Sequence, residues 1–128
     1  MEERTTDVRL DLPADPQSIG VVRAVVASVA SRLALPYDSV DDLRIAAAEA
    51  CTFLLTRAED GRRLRVELSP DTVALQLVIW VQGGGGGRPS GDRDSLSWRV
   101  IEGLADHVAA VEIDGDPAIE LRMRTVHE

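Results

Sequence analysis

Apolar residues recur every three or four positions along residues 41–55, and this spacing predicts one long helix. The apolar stripe consists of leucines and alanines, which are good helix formers: Leu43, Ala46, Ala47, Ala50 and Leu54. Glu49 lies off this stripe at the middle of the helix, and Phe53 follows one turn later. A carboxylate inside an apolar run either lines a site or faces water as an ordinary surface residue. The functional interpretation depends on which of these holds.

Two other segments show helical spacing. A first helix is predicted over residues 17–33. Its apolar stripe consists of valines: Val21, Val22, Val25 and Val26. Asp38 or Ser39 is expected to cap the central helix, which should end near residue 58. Ser95 is expected to cap a third helix running to about Ala109, with Trp98 packed in the core.

Strict alternation of apolar and polar residues predicts five strands, at residues 8–12, 64–68, 73–81, 111–113 and 119–123. The second and third strands should form a hairpin. Strands grouped in this way with helices between them predict an α+β fold, a two-layer sandwich with a mixed, mostly antiparallel sheet and helices on one face. Residues 1–128 are expected to form a single domain, in which the glycine-rich stretch 83–94 is a flexible, lid-like loop.

Composition narrows the possible functions. The formal charge is −8 and all basic residues are arginines scattered along the chain, which argues against direct nucleic-acid binding. No apolar run approaches the ~20 residues that span a bilayer, and no secretion signal opens the sequence, so we expect a cytoplasmic protein that does not bind membranes. The lone Cys51 is expected to be a buried, inert thiol, and no cysteine–histidine cluster indicates a metal site.

Four segments resemble one known family: residues 42–52 (Asp-Leu-Arg-Ile-Ala-Ala-Ala-Glu-Ala-Cys-Thr), 64–66, 95–101 and 104–108. The chain resembles anti-sigma factors of the serine-kinase type, which belong to the GHKL (Bergerat-fold) ATPase superfamily, and looks closest to the actinobacterial anti-sigma-F branch. The resemblance implies a GHKL-like fold and partner switching in a stress or developmental response. In that mechanism the protein holds a sigma factor inactive until an anti-anti-sigma factor takes its place.

The chain departs from the family's kinase pattern at three points. Family kinases place a general base and a magnesium-holding asparagine one turn apart; here Glu49 occupies the position of the base and Phe53 that of the asparagine. The adenine-reading aspartate is missing from the strand that ends at Gln82 and enters five glycines. The second glycine box is replaced by residues 95–98. If a nucleotide binds at all, Gln82, Gly83 and Gly85 are the residues expected to contact it.

The sequence therefore predicts an anti-sigma factor that acts by binding and has a degenerate nucleotide site. Neither ATP nor Mg²⁺ is expected to be required, and Glu49 is interpreted as a vestigial base. The resemblance gives Arg23, on the first helix, a role in binding both the sigma factor and the anti-anti-sigma factor. A homodimer through the first strand and first helix is also expected. The alternatives are an active serine kinase that phosphorylates the anti-anti-sigma factor, and a small-ligand sensor that uses the vacated pocket.

Overall fold

The computed structural model describes residues 7–83 and 95–125, so Gly85 and most of the predicted loop at 83–94 lie outside the described residues. The elements follow the predicted order of one strand, two helices, two strands, one helix and two strands. Their bounds are β1 Val8–Pro13, α1 Gln17–Arg32, α2 Tyr37–Leu55, β2 Arg63–Pro70, β3 Ala74–Gln82, α3 Leu96–Leu104, β4 His107–Ile113 and β5 Asp116–Arg124.

The strands form one five-stranded sheet in the order β1-β2-β3-β5-β4. Every pairing in it is antiparallel, so the sheet is antiparallel throughout. The predicted hairpin is confirmed, with Leu64 opposite Val81 and Val66 opposite Ile79. Asp114 and Gly115, which join β4 to β5, both have a positive φ.

The helices cover one face of the sheet, as predicted. Alternate sheet residues such as Leu64, Val66 and Ile79 share a buried core with the helices. The alanine–leucine stripe predicted for the central helix is buried along its whole length. The opposite face of the sheet carries the other set of alternate residues, among them Arg65 and Glu67. The chain is therefore an α+β two-layer sandwich.

The third helix is shorter than predicted. It ends at Leu104, not near Ala109, and Ala105 is already extended, with ψ 152°. The reason is a tertiary contact: the Asp106 N–H donates to the carbonyl of Arg122 (3.0 Å), and the Asp106 carboxylate accepts from the N–H of Arg124 (2.8 Å). These bonds attach the chain to β5, so the residues after Ala105 enter strand β4.

The predicted N-cap of the central helix is wrong. The helix begins at Tyr37 with Pro36 at the capping position, and no side chain caps it. Asp38 instead lies in the first turn, where its negative charge complements the helix dipole. The valine stripe of α1 is only partly right, because Val22 and Val26 are fully buried whereas Val21 is 45% exposed.

Candidate functional site

Glu49 lies at the middle of α2 and is partly buried. Phe53 follows it one turn later, so both residues lie on the side of α2 that turns toward α3 rather than toward α1. Among residues 7–83 and 95–125, no hydrogen bond or ion pair joins Glu49 to another side chain. Its carboxylate is therefore not committed to a structural contact in this part of the chain.

Phe53 is a core residue, with only 1% of its surface exposed. Its ring packs against the ring of Trp98 on α3, with 6.0 Å between centroids and an angle of 58°. Trp98 is itself 2% exposed, which confirms the prediction that it belongs to the core. The position one turn after Glu49 therefore forms part of the contact between α2 and α3.

Arg57 also contacts the Phe53 ring. Its guanidinium carbon lies 3.7 Å from the ring centroid, a cation–π geometry, and its Nη1 donates to the carbonyl of Phe53 at 2.8 Å. The phenyl ring thus contacts both an indole and a guanidinium. We call Phe53, Arg57 and Trp98 the aromatic cluster.

Gln82 does not lie on the same side of the sheet as Glu49. Strand alternation puts Val81 in the core and Gln82 on the face away from the helices. There the Gln82 Oε1 accepts a hydrogen bond of 2.8 Å from Arg65. The side chain expected to contact a nucleotide is instead engaged on the open face of the sheet.

Gly83 ends β3 in a turn. Its φ is +75°, which favours glycine, and a Cβ added there would lie 3.1 Å from Arg62 Nη1. Its N–H donates to Asp116 Oδ2 at 3.1 Å. Gly83 therefore joins the end of β3 to the start of β5, while Gly85 lies outside the described residues.

Arg23 is exposed on α1. One turn later, Ala27 lines a cleft of about 280 Å³ together with four residues of α2: Tyr37, Val40, Asp41 and Arg44. Tyr37 is 85% exposed, and Asp41 forms an ion pair with Arg44. We call this feature the α1–α2 cleft.

The sequence pattern of one protein family, described as "Histidine kinase-like ATPase domain", matches residues 12–125. That range includes every helix and almost every strand of the fold. The chain belongs to this family.

A solved structure of another protein has the same fold as this chain. The histidine kinase domain of the blue-light activated histidine kinase from Erythrobacter litoralis EL346 superposes with a TM-score of 0.59. The superposition covers 96% of this chain and 64% of that one, at 12% sequence identity. At that identity the likeness concerns the fold alone.

Several curated relatives of this chain are named serine-protein kinase RsbW. The Bacillus velezensis protein is 44% identical over 79 residues, which is 59% of this chain and 49% of that protein. The Halalkalibacterium halodurans protein is 42% identical over 77 residues, covering 59% and 48% respectively. The chain spans about half the length of the curated relatives it matches. The expected resemblance to the serine-kinase type within the GHKL superfamily is confirmed.

The described residues do not fit a magnesium–nucleotide site of the ATPase type. A hard cation needs oxygen ligands, and the position one turn after Glu49 offers a buried phenyl ring. Within the described ranges, no group of three or more histidine, cysteine, aspartate or glutamate side chains is arranged to hold a metal ion. Nor does any helix there combine the length and apolar character of a bilayer-spanning segment.

Two features of this ATPase domain escaped the sequence analysis. Arg57 follows Phe53 by four residues, the spacing at which side chains on a helix meet, and this signal could have revealed the stacking. The α1–α2 cleft could not have been found, because it depends on how the two helices pack. Cys51 was assigned correctly: it is fully buried, and burial raises the pKa of its thiol from 9.0 to about 12.

Proposed function

We propose that this protein is an anti-sigma factor that works by binding: it sequesters a sigma factor and is displaced from it by an anti-anti-sigma factor. The observation that carries the proposal is the aromatic cluster. In the resemblance to serine-kinase anti-sigma factors, the Phe53 position belongs to a metal-holding asparagine, whereas here it is core packing between two helices. Sequestration needs a complementary surface and no phosphoryl transfer, so it is compatible with that change.

The binding surface is the outer side of the helix pair, centred on Arg23 and the α1–α2 cleft. Arg23 is an exposed, always charged group whose planar guanidinium can pair with a carboxylate of a partner. The cleft beside it is large enough for one bulky side chain, and Tyr37 at its rim is the kind of residue enriched at interface centres. A charged anchor beside an apolar recess is typical of a specific protein interface.

Charge reversal at Arg23 tests this assignment. We expect Arg23→Glu to weaken binding of the sigma factor by roughly tenfold to a hundredfold, since loss of an interface arginine commonly costs 1.5–3 kcal/mol. Arg99→Glu is the matched control, because Arg99 is also an exposed arginine, on α3. Isothermal titration of both variants is the measurement. Equal affinity of the wild type and Arg23→Glu would remove Arg23 from the interface.

An active serine kinase is the second candidate. Two observations favour it: the curated relatives bear the name serine-protein kinase, and Glu49 has no structural partner among the described residues. Glu49 would then act as a general base toward a serine hydroxyl of the anti-anti-sigma factor. Phosphate transfer to that protein by the wild type, abolished by Glu49→Gln, would establish this activity. Absence of any ATP-dependent thermal shift at millimolar nucleotide would exclude it.

A further inference from the structure

A cavity of about 480 Å³ opens on the face of the sheet away from the helices, where β4 begins and β5 ends. Six residues line it: Val73, Ala74, Asp106, His107, Arg122 and Arg124. The strand register brings them together, because Arg122 lies opposite His107 of β4 and Arg124 lies opposite Ala74 of β3. A cavity of this size can hold a small molecule. It is separate from both the aromatic cluster and the α1–α2 cleft.

Arg122 is held in place in the wall of this cavity. Its Nη1 donates a hydrogen bond of 3.2 Å to Oε1 of Gln76, and its Nη2 lies 3.6 Å from Oδ2 of Asp71. Gln76 is only 5% exposed, so its position is fixed by packing. Asp71 accepts hydrogen bonds of 2.8 Å from the N–H groups of Val73 and Ala74. Because these contacts already orient the guanidinium, it loses little side-chain entropy when a ligand binds.

Three acid–base pairs involve the basic residues of the cavity wall, and each pair is longer than a hydrogen bond. The N···O separations are 3.6 Å for Arg122–Asp71, 3.6 Å for His107–Glu120 and 3.9 Å for Arg124–Asp106. Charge-assisted hydrogen bonds between such groups are about 2.7–2.9 Å long, and Arg63 and Asp11 on the same face do approach to 2.9 Å. Arg122 and Arg124 therefore keep N–H donors that these carboxylates do not engage.

We propose that this cavity binds a small zwitterion of the α-amino-acid type with an aliphatic side chain. The carboxylate of the ligand accepts hydrogen bonds from the guanidinium groups of Arg122 and Arg124, and its ammonium group donates to the carboxylate of Asp106. The aliphatic side chain packs against Val73 and Ala74, the apolar part of the wall. Val73 is 50% exposed, so the ligand removes apolar surface from water.

The balance of charge around the cavity selects a zwitterion over a simple anion. Asp106 is part of the wall beside the arginines, and Asp71 and Glu120 lie next to it. A phosphate or an alkyl carboxylate brings negative charge close to these three carboxylates, whereas a ligand that also carries an ammonium group offsets that repulsion. Loosening the existing pairs costs little, because ion pairs near the surface contribute little to stability.

Titration of the full chain, followed by the NMR shifts of its backbone amides, tests the ligand class. The probes are valine, isoleucine and leucine, each compared with its amide, which lacks the carboxylate, and with its deaminated acid, which lacks the ammonium group. We expect at least one of the amino acids to shift the amides of Asp106 and Arg124 with a millimolar or lower Kd. Its two analogues should bind about tenfold more weakly or worse, because each lacks one charge-assisted contact.

Two outcomes of this titration would overturn the proposal. The first is that none of the three amino acids shifts these amides. The second is that the deaminated acid or inorganic phosphate binds as tightly as the amino acid, which would indicate a site for simple anions.

Arg124→Gln locates the binding site on the sheet. It removes one of the two guanidinium groups, so the Kd of the amino acid should rise about tenfold. Arg9→Gln is the matched control: the Arg9 side chain is 74% exposed and that of Arg124 70%, and Arg9 also forms a long ion pair, 3.5 Å from Glu67. This variant should leave the Kd unchanged. Weaker binding in both variants, or in neither, would contradict the assignment to this cavity.

Discussion

Phe53 occupies the position to which the resemblance to serine-kinase anti-sigma factors assigns a magnesium-holding asparagine. Its ring is not exposed in an open pocket, because Trp98 and Arg57 both pack on it. The residues around Phe53 are therefore packed to fit a phenyl ring. Reintroducing the polar residue alone would place an amide in an apolar contact instead of rebuilding a cation site.

Because the Phe53 ring is packed in the core, Phe53→Asn should destabilise the fold. We expect the free energy of unfolding to fall by about 3–5 kcal/mol, because the change removes a buried aromatic ring and buries an amide. Urea denaturation is the measurement. The control is Thr52→Asn, which introduces the same residue at the adjacent exposed position and should change stability by less than about 0.5 kcal/mol. If Phe53→Asn were equally harmless, Phe53 would not hold α2 to α3.

Cys51 makes a prediction about alkaline pH. Its pKa is raised to about 12 in the folded protein, so above pH 9 the unfolded chain loses this proton while the folded chain keeps it. Its contribution to stability is thus present below the unfolded pKa and is lost as the pH rises. Between pH 7 and 10 the loss should be about 1.4 kcal/mol.

Comparison with Cys51→Ala isolates this loss. The alanine variant lacks the thiol and should show a smaller fall in unfolding free energy over the same pH range, whatever its starting stability. Urea titrations of both proteins at pH 7 and pH 10 give the four unfolding free energies that are compared. Parallel pH dependence of the two proteins would contradict the assignment of a buried neutral thiol.

At the scale of single elements, the cap of α3 is a clear sequence signal that the structure confirms. Ser95 accepts a hydrogen bond of 3.2 Å from the N–H of Trp98, as an N-cap serine should. We expect Ser95→Ala to cost about 1 kcal/mol of stability by urea denaturation. Ser97→Ala, two residues into the helix, is the control and should cost less. A larger loss of stability for Ser97→Ala than for Ser95→Ala would show that Ser95 does not cap the helix.

Elements were predictable where local pattern and tertiary packing agree. The stripe from Leu43 to Leu54 and the alternation in β2 and β3 each depend on one dominant period, and both were assigned correctly. The end of α3 was not, because residues 105–109 suit either a helix or a strand, and the bonds of Asp106 to β5 decide between them. Strand alternation alone indicates the face of the sheet on which the Gln82 side chain lies. Its hydrogen bond with Arg65 could not be predicted in this way.

At the scale of the molecule, the fold places two candidate surfaces apart from each other. The aromatic cluster, with Glu49 one turn before Phe53, lies on the α3 side of α2, whereas the α1–α2 cleft lies on its α1 side. Arg23 lies on α1, one turn before Ala27 of that cleft. Loss of one site therefore leaves the other intact. The proposed binding function needs only the second of these surfaces, so it does not depend on the residues around Glu49. The surface itself could not be predicted, since the cleft arises only when the two helices pack.

The most direct test of the account measures sigma-factor binding with and without nucleotide. The tagged chain would first capture its sigma factor from host lysate, and the purified pair would then be titrated by calorimetry in buffer alone and with ATP and Mg²⁺. We predict tight binding in buffer alone and the same dissociation constant, within about twofold, when nucleotide is present. Failure to recover any sigma factor, or an affinity that rises tenfold or more with ATP and Mg²⁺, would contradict the account.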